Sequence, residues 1–378
     1  MIEVKVCNNP NEFIKVAFIV QGDNPNWTPP LLMDITKKLN RKKSSFLRHN
    51  EAEFFIAYKD GKPVGRIAAI KNNIHNQRYN KTDGFFGFFE CINDQEVANA
   101  LFEKAAEWLR NKGFNTIYGP TSYSTNDEVG LLVEGFDSPS YVMIPYNPEY
   151  YKTLIENYGF KKAKDLYAWY YDPTLPLDER LLELTEKVLK RGKFKVRYLN
   201  TKKIEEEVEK IIEIYHDSWS ENYMFIPLTE EEKKETAEFL ASIVYPEMVI
   251  IIIENEEGEA VAFSAVVHNL NEVLIKYRTK NLTLLNIQQL LALAYRLYIK
   301  PKNKFKSGRL LLAGVKKKYR KLGLDLVMYV KSYQNSLKVG YKYGELSWTL
   351  EDNFLINEGI KKMGGKIHKI YRIYFKEI

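Results

Sequence analysis

Cysteine is almost missing from this chain: 378 residues hold only Cys7 and Cys91. No Cys-x-x-Cys or Cys/His ligand spacing exists. That excludes a finger-type structural zinc site, and the low thiol content fits a reducing compartment. Long apolar runs are missing too. The longest, Val249 to Ile253 after Met248, falls far short of the ~20 residues a membrane span needs and reads as a buried strand. The opening MIEVKVCNNP has no basic region followed by an apolar core, so no signal peptide is expected and the reading is a cytoplasmic protein. GxSxG, HExxH, Walker A and dinucleotide-binding motifs are absent. Charge of one sign is also scarce: 56 basic against 49 acidic side chains leave +7. Spread over the whole chain, that excess argues against nucleic acid as partner, while one local basic patch for an anionic ligand remains compatible with it.

What is present is a mixed α/β pattern, long enough for two domains. In the first half, Glu53–Tyr58 and Pro63–Ile70 flank Asp60-Gly61, a hairpin signal. GFFGFFEC (84–91) reads as a strand. Val97, Ala98, Leu101, Ala105, Trp108 and Leu109 have helical spacing that Gly113 stops. The second half repeats the order after a Pro-containing junction at Asp172–Pro176. A hairpin turns at Glu257-Gly258, a helix runs over Leu284–Tyr298 and a strand over Leu310–Val315. A helix follows to Val339, then the strand Glu345–Leu350, the helix Phe354–Met363 and the strand Ile367–Phe375. The segments Leu154–Tyr171 and Ile360–Phe375 both read helix, glycine stop, basic residue, aromatic-rich strand. This is an internal repeat of a whole domain, and the expected units are residues 1–173 and 174–378.

The most informative segment is LLAGVKKKYRKLGLDLVMY (311–329). A short apolar strand leads into basic residues, and Arg320-Lys321-Leu322-Gly323-Leu324 opens a helix. The unpaired N–H groups of a first helical turn and the helix dipole favour an anion there. Gly323 lets backbone approach a phosphate closely, and Arg320 can add charge-assisted contacts. On spacing alone, a solvated basic turn explains the same residues.

The order of elements from Leu310 to Phe375, with VKKKYRKLGL in place of a V-x-x-x-x-[QR]-x-x-G-x-[GA] loop, resembles the GNAT superfamily of acyl-CoA N-acyltransferases. The whole chain is similar to tandem two-domain bacterial members. The resemblance implies an α/β fold with a mixed sheet and two tandem GNAT-like domains. It implies acyl transfer from acetyl-CoA or another CoA thioester to a small-molecule or peptide amine, with no metal. The CoA pyrophosphate would lie on the amides of Lys321, Leu322, Gly323, Leu324 and Asp325, beside Arg320. Asp325 departs from the family pattern, which has a small residue there. Pantetheine would lie along the backbones of Ala313 and Val315. The first half lacks the loop: Asp94 and Glu96 follow its strand directly, so it reads as a degenerate copy. The Fem aminoacyltransferases also pair two such domains. A Fem-like enzyme using aminoacyl-tRNA, and a non-catalytic CoA- or partner-binding module, remain alternatives.

Glu351, Asp352 and Asn353 end a strand, where a carboxylate can serve as general base and Asn353 would contact the CoA; Asp352 or Asn353 as helix cap explains the same position. The helix that follows has no Tyr to protonate the leaving thiolate, so Tyr371 or Tyr374 on the last strand would substitute. His216 and Asp217 are adjacent helix residues that do not face each other. Gly119–Ser122 and Asn126–Glu128 form a polar loop suited to an inter-domain cleft or to turn chemistry. The basic stretch Lys300, Lys302, Lys304, Lys306 and Arg309 reads as a solvated loop, or as a contact for the CoA 3′-phosphate or RNA.

Overall fold

Asp60 and Gly61 both take positive φ, 52° and 76°, the left-handed pair that closes a tight hairpin. The runs flanking them pair antiparallel from Glu51–Lys71 to Lys59–Lys62. Of the spaced apolar residues, Val97, Ala98, Leu101, Ala105 and Leu109 lie buried on one helix face, while Trp108 is partly buried at the edge of the core. Asp94 caps that helix by accepting from the amides of Glu96 and Val97. This is a computed structural model that describes residues 1–243, 250–299 and 305–378. Met248 and Val249 of the apolar run, and Lys300, Lys302 and Lys304 of the basic stretch, lie outside the described residues.

The first half runs β1 (Ile2–Val6), α1 (Pro10–Gln21), α2 (Leu32–Leu39), α3 (Phe46–His49), β2 (Glu51–Lys59), β3 (Lys62–Lys71), α4 (Asn73–Tyr79), β4 (Asp83–Cys91), α5 (Gln95–Arg110), β5 (Thr116–Gly119), β6 (Leu131–Glu134), α6 (Tyr150–Asn157) and β7 (Lys161–Tyr171). The second half runs α7 (Glu179–Gly192), β8 (Lys195–Tyr198), α8 (Ile204–Trp219), α9 (Glu230–Ile243), β9 (Ile250–Glu254), β10 (Ala260–His268), α10 (Asn271–Leu274), α11 (Leu282–Ala294), β11 (Ser307–Val315), α12 (Leu324–Val339), β12 (Tyr343–Leu350), α13 (Phe354–Lys362) and β13 (Lys366–Glu377). The expected helix over 284–298 begins earlier, at Leu282, and widens after Ala294 into a π-helical turn, Tyr295–Ile299.

The thirteen strands of the described residues share one mixed sheet in the order β1-β2-β3-β4-β5-β13-β7-β12-β11-β10-β9-β8, with β6 beside β13. Helices cover both faces. In the first half α5 and α6 pack one face around Phe86, Phe102 and Ile155, and α1 and α2 pack the other around Phe13, Phe18 and Ile35. In the second half α8 supplies Ile212 against Phe263, while α12 supplies Val327 against Ile253 on the opposite face.

The repeat seen in the sequence sits at the centre. β7 and β13, the two aromatic-rich final strands, pair antiparallel, with Trp169 opposite Ile367 and Leu166 opposite Tyr371. β13 also pairs β5 of the first half, and β7 pairs β12 of the second. Each half therefore lends its last strand to the other. A cut between residues 173 and 174 divides the chain into halves whose last strands lie side by side in a shared sheet.

Candidate functional site

β11 and β12 are parallel and bonded only from Ser307–Tyr343 to Leu310–Leu346. Beyond Leu310 they part, and β11 continues to Val315 paired on its other side to β10. Lys316 donates to Val261 O (2.9 Å) on that β10 side. Alternation along the strand then turns the backbones of Val315 and Ala313 towards the gap. The indole of Trp219, at the end of α8, confirms the direction by donating from Nε1 to Ala313 O at 2.9 Å. Trp348 on β12 lies edge-on to it, ring centroids 6.0 Å apart.

Past β11 the chain makes one short turn, Lys317–Tyr319, and enters α12. Lys321 and Gly323 both have positive φ, 65° and 82°. Gly323 is the N-cap of α12 and provides no side chain to cap it. The first-turn amides of a sixteen-residue helix thus open onto a basic loop, an arrangement that binds anions. The loop is held by the end of α8: Asp217 Oδ2 accepts from the Lys317 amide (2.5 Å), Glu221 from Lys317 Nζ (2.9 Å), and Ser218 O from Arg320 Nη2 (2.7 Å). The bond to Lys317 holds the Glu221 carboxyl below its ordinary range. Arg320, Lys321, Leu322 and Asp325 are exposed, while Leu324 is buried.

Where the two strands part lies a buried polar cluster that the sequence reading passed over. Glu345 accepts from Ser347 Oγ (2.6 Å) and meets His368 Nε2 at 2.8 Å. Arg309 donates to Ser347 Oγ (2.9 Å) and Val142 O (2.7 Å). Arg309, expected in a solvated basic stretch, is fully buried, and burial pushes its guanidinium down to about 10. Lys369 is buried next to the cluster, donates to Ser138 O (2.7 Å) and Gly135 O, and is pushed by burial to about 8. The available signal was an acid inside the strand ELSW, two residues from a serine on the same face, because a buried carboxylate requires partners.

The carboxylates singled out at the end of β12 have other attachments. Glu351 bonds Lys162 Nζ (2.6 Å) and the Asp165 amide (3.0 Å). Asp352 bonds Lys164 Nζ (2.8 Å), which holds its carboxyl below the usual range. Asn353 is the N-cap residue of α13, without a side-chain capping bond. Tyr371 is buried on β13 against Ser140 Oγ (3.0 Å), and burial, with Glu345 nearby, raises its hydroxyl well above its ordinary value. Tyr374 is buried too and donates to Glu156. None of these bonds joins Glu351, Asp352 or Tyr371 to the Arg320–Asp325 loop. His216 accepts from the Leu228 amide (3.0 Å), and burial holds its imidazole below its usual value. The polar loop of the first half does reach the second: Asn126 accepts from Tyr215 Oη (2.7 Å), and Thr125 donates to Met224 O (3.0 Å).

The matching place in the first half is filled. β4 and β5 pair only from Asp83–Thr116 to Phe85–Tyr118, but the Thr121 amide then bonds Phe86 O (2.9 Å). A Cβ on Gly87 would lie 1.8 Å from Thr121 O. The N-terminus of α5 is occupied by the Asp94 carboxylate, itself paired to Lys59 at 2.5 Å. Neither a strand gap nor a free helix terminus remains for a second ligand.

Solved proteins share this architecture. A tandem GNAT protein from the clavulanic acid biosynthesis pathway superposes with TM-score 0.57 at 11% identity, covering 100% of this chain and 98% of that one. A GCN5-related N-acetyltransferase from Sphaerobacter thermophilus gives 0.52 at 12%, covering 100% and 95%. At these identities the likeness shows the fold, a tandem GNAT acyltransferase fold. No family model matches the chain. In sequence, the chain is 33% identical over 383 residues to the bacterial ceramide synthase of Caulobacter vibrioides, covering 100% of this chain and 97% of the relative. It is 32% identical over 378 residues to the protein YghO of Escherichia coli, covering 98% and 93%. With its tandem GNAT fold and this full-length kinship, the chain belongs to the family of the bacterial ceramide synthase and YghO.

Proposed function

We propose that the chain is an acyl-CoA-dependent N-acyltransferase whose acceptor is a long-chain amine. The observation that carries this reading is the parting of β11 from β12 beside the uncapped N-terminus of α12. Together they supply a strand edge for an amide-bearing arm and a cationic helix terminus for a diphosphate, joined by one short turn. Arg320, Lys321, Leu322, Gly323, Leu324 and Asp325 would hold the diphosphate, and the backbones of Ala313 and Val315 the arm. The amine class comes from the relative's name, since a ceramide is the amide of a fatty acid and a long-chain amino alcohol. A long acyl donor suits that product better than the acetyl group expected from the superfamily at large.

The chemistry needs an unprotonated amine beside the thioester. The nitrogen attacks the carbonyl carbon, the N–C bond forms, the C–S bond breaks, and the nitrogen loses one proton. Free N–H groups along β11 would polarise the carbonyl oxygen, and holding both substrates in one gap supplies the rest. For the proton we favour Glu345 with His368, because they lie where the strands part. Glu351, Asp352 and Tyr371 remain the second choice; using either carboxylate requires opening its ion pair with Lys162 or Lys164. We place the enzyme in a reducing compartment, in keeping with the free, buried thiols of Cys7 and Cys91.

The test is turnover of acetyl-CoA and palmitoyl-CoA with sphinganine, short amines and a peptide amine, reading free thiol and the amide by mass. Thiol release matched by an N-palmitoyl amide of sphinganine is the expected result. Amide formed only from acetyl-CoA would restore the acetyl reading. Thiol release without amide, or none, would leave a binding module.

A further inference from the structure

The connection between β10 and β11 occupies residues 269–306, whereas its counterpart between β3 and β4 occupies only 72–82. The extra length holds α11 and the π-helical turn after it. From Leu282 to Tyr295 there is no charged residue. The inner face of α11 is well anchored. Leu285 is fully buried in the first half's core. Gln289 accepts from the Leu32 amide and donates to Pro30 O, both at 3.0 Å.

The outer face is apolar as well, and it faces solvent. Leu284, Ile287 and Leu291 follow helical spacing and are 45%, 50% and 67% exposed; Leu290 and, beyond the helix, Tyr298 and Ile299 extend the patch. A helix that is apolar all round is ordinarily enclosed, so this one lacks its cover within the described residues. At thirteen residues it cannot cross a bilayer, and no helix among the described residues is long and apolar enough to do so.

Charge says what the cover is. From Val273 to Lys306 the sequence holds eight Lys and Arg and no Asp or Glu. Lys276 and Lys280 are exposed just before α11, and Lys306 is exposed after it. An apolar strip preceded and followed in the sequence by cations, with tyrosines at its end, fits the boundary of an anionic lipid layer. A second copy of the chain would set these cations against each other across a two-fold contact.

We propose that the outer face of α11 docks on the surface of an anionic lipid bilayer, lying in the interface with Leu284, Ile287 and Leu291 among the acyl chains. This does not rest on the transfer reading, though a lipid acceptor would be met there. The test uses the full chain and sedimentation with vesicles of phosphatidylcholine alone or mixed equally with phosphatidylglycerol. The parent should sediment with the mixed vesicles and far less with the neutral ones, and added salt should weaken it. The double change Ile287→Glu and Leu291→Glu alters exposed side chains only. It should lower vesicle affinity at least about tenfold without changing the melting temperature. Lys276→Glu with Lys280→Glu, away from any packed face, should abolish the preference for the anionic vesicles. Sedimentation of both variants like the parent would overturn the proposal. So would a parent that ignores vesicles and is a dimer split by the Ile287 and Leu291 changes.

Discussion

Trp219 Nε1 and the carbonyl of Ala313 are 2.9 Å apart, so an indole occupies a backbone acceptor on the free edge of β11. A ligand lying along that edge must displace this bond or share the carbonyl. Trp219→Phe keeps most of the ring contact with Trp348 and removes the donor. One neutral hydrogen bond is worth about 0.5–1.5 kcal/mol net. CoA should therefore bind up to about tenfold more tightly to Trp219→Phe, as read by calorimetry. Weaker binding would show that the indole helps hold the ligand.

Gly323 combines φ of 82° with a would-be Cβ 2.9 Å from Val188 Cγ2 of α7. From the sequence, Gly323→Val should weaken CoA binding with little change in fold. The packing against Val188 adds a stability cost, about 1–3 kcal/mol for the left-handed backbone alone. Val188→Ala should recover the steric part of that cost but not the backbone part. Full recovery of the melting temperature would show that φ at 323 is adaptable.

Two acid-dependent ion pairs should behave differently. Asp165 receives two bonds from Arg372, 2.7 and 3.0 Å. Burial alone would raise its carboxyl, but Arg372 and Lys162 hold it below its ordinary 3.8. Its contribution is present above pH 3.8 and is lost as pH falls through the lower folded value. Asp165→Asn leaves the partly buried Arg372 with the longer contact to Glu156 (3.8 Å) in place of its bonded carboxylate and should cost about 3 kcal/mol at pH 7. The more exposed Asp352, paired to Lys164, should cost under about 1 kcal/mol as Asn. Equal losses in denaturant melts would contradict this ranking.

Lys369 gives a pH dependence of the same sign in an alkaline window, because there the charged form is the one that folding disfavours. Burial brings its ammonium from 10.5 to about 8. Between those values the unfolded chain binds more protons than the folded one, so stability rises with pH across the window, by up to about 3 kcal/mol. Lys369→Met should flatten that rise. It also leaves the carbonyls of Gly135 and Ser138 without this donor, so its stability at pH 7 balances the two effects. An unchanged slope from pH 8 to 10 would place the titration elsewhere.

The turn proposed to hold the diphosphate was legible because its requirements are local: a glycine at positive φ, a helix start and adjacent cations all lie within 320–325. The strand gap was legible only through family likeness, since β11 parts from β12 by the choice of pairing partners far apart in sequence. The exchange of β7 and β13 shows in sequence as a repeat, but which half each strand joins depends on the whole sheet. Glu345 was hidden because strand periodicity treats it as one position among apolar ones. α2, α3 and α4 were missed because they are short and start in loop-like sequence, with Leu31, Ser45 and Asn72 as their caps. Their order comes from packing against the sheet more than from propensity.

The central claim is that one half of this duplicated chain keeps a CoA site and the other has closed it. Calorimetric titration of the full chain with CoA, beside the Arg320→Ala and Gly323→Val variants, tests it most directly. The claim predicts one CoA per chain, weakened by roughly 1–3 kcal/mol in Arg320→Ala and more in Gly323→Val. Two equivalent sites, or a single site indifferent to both changes, would contradict it.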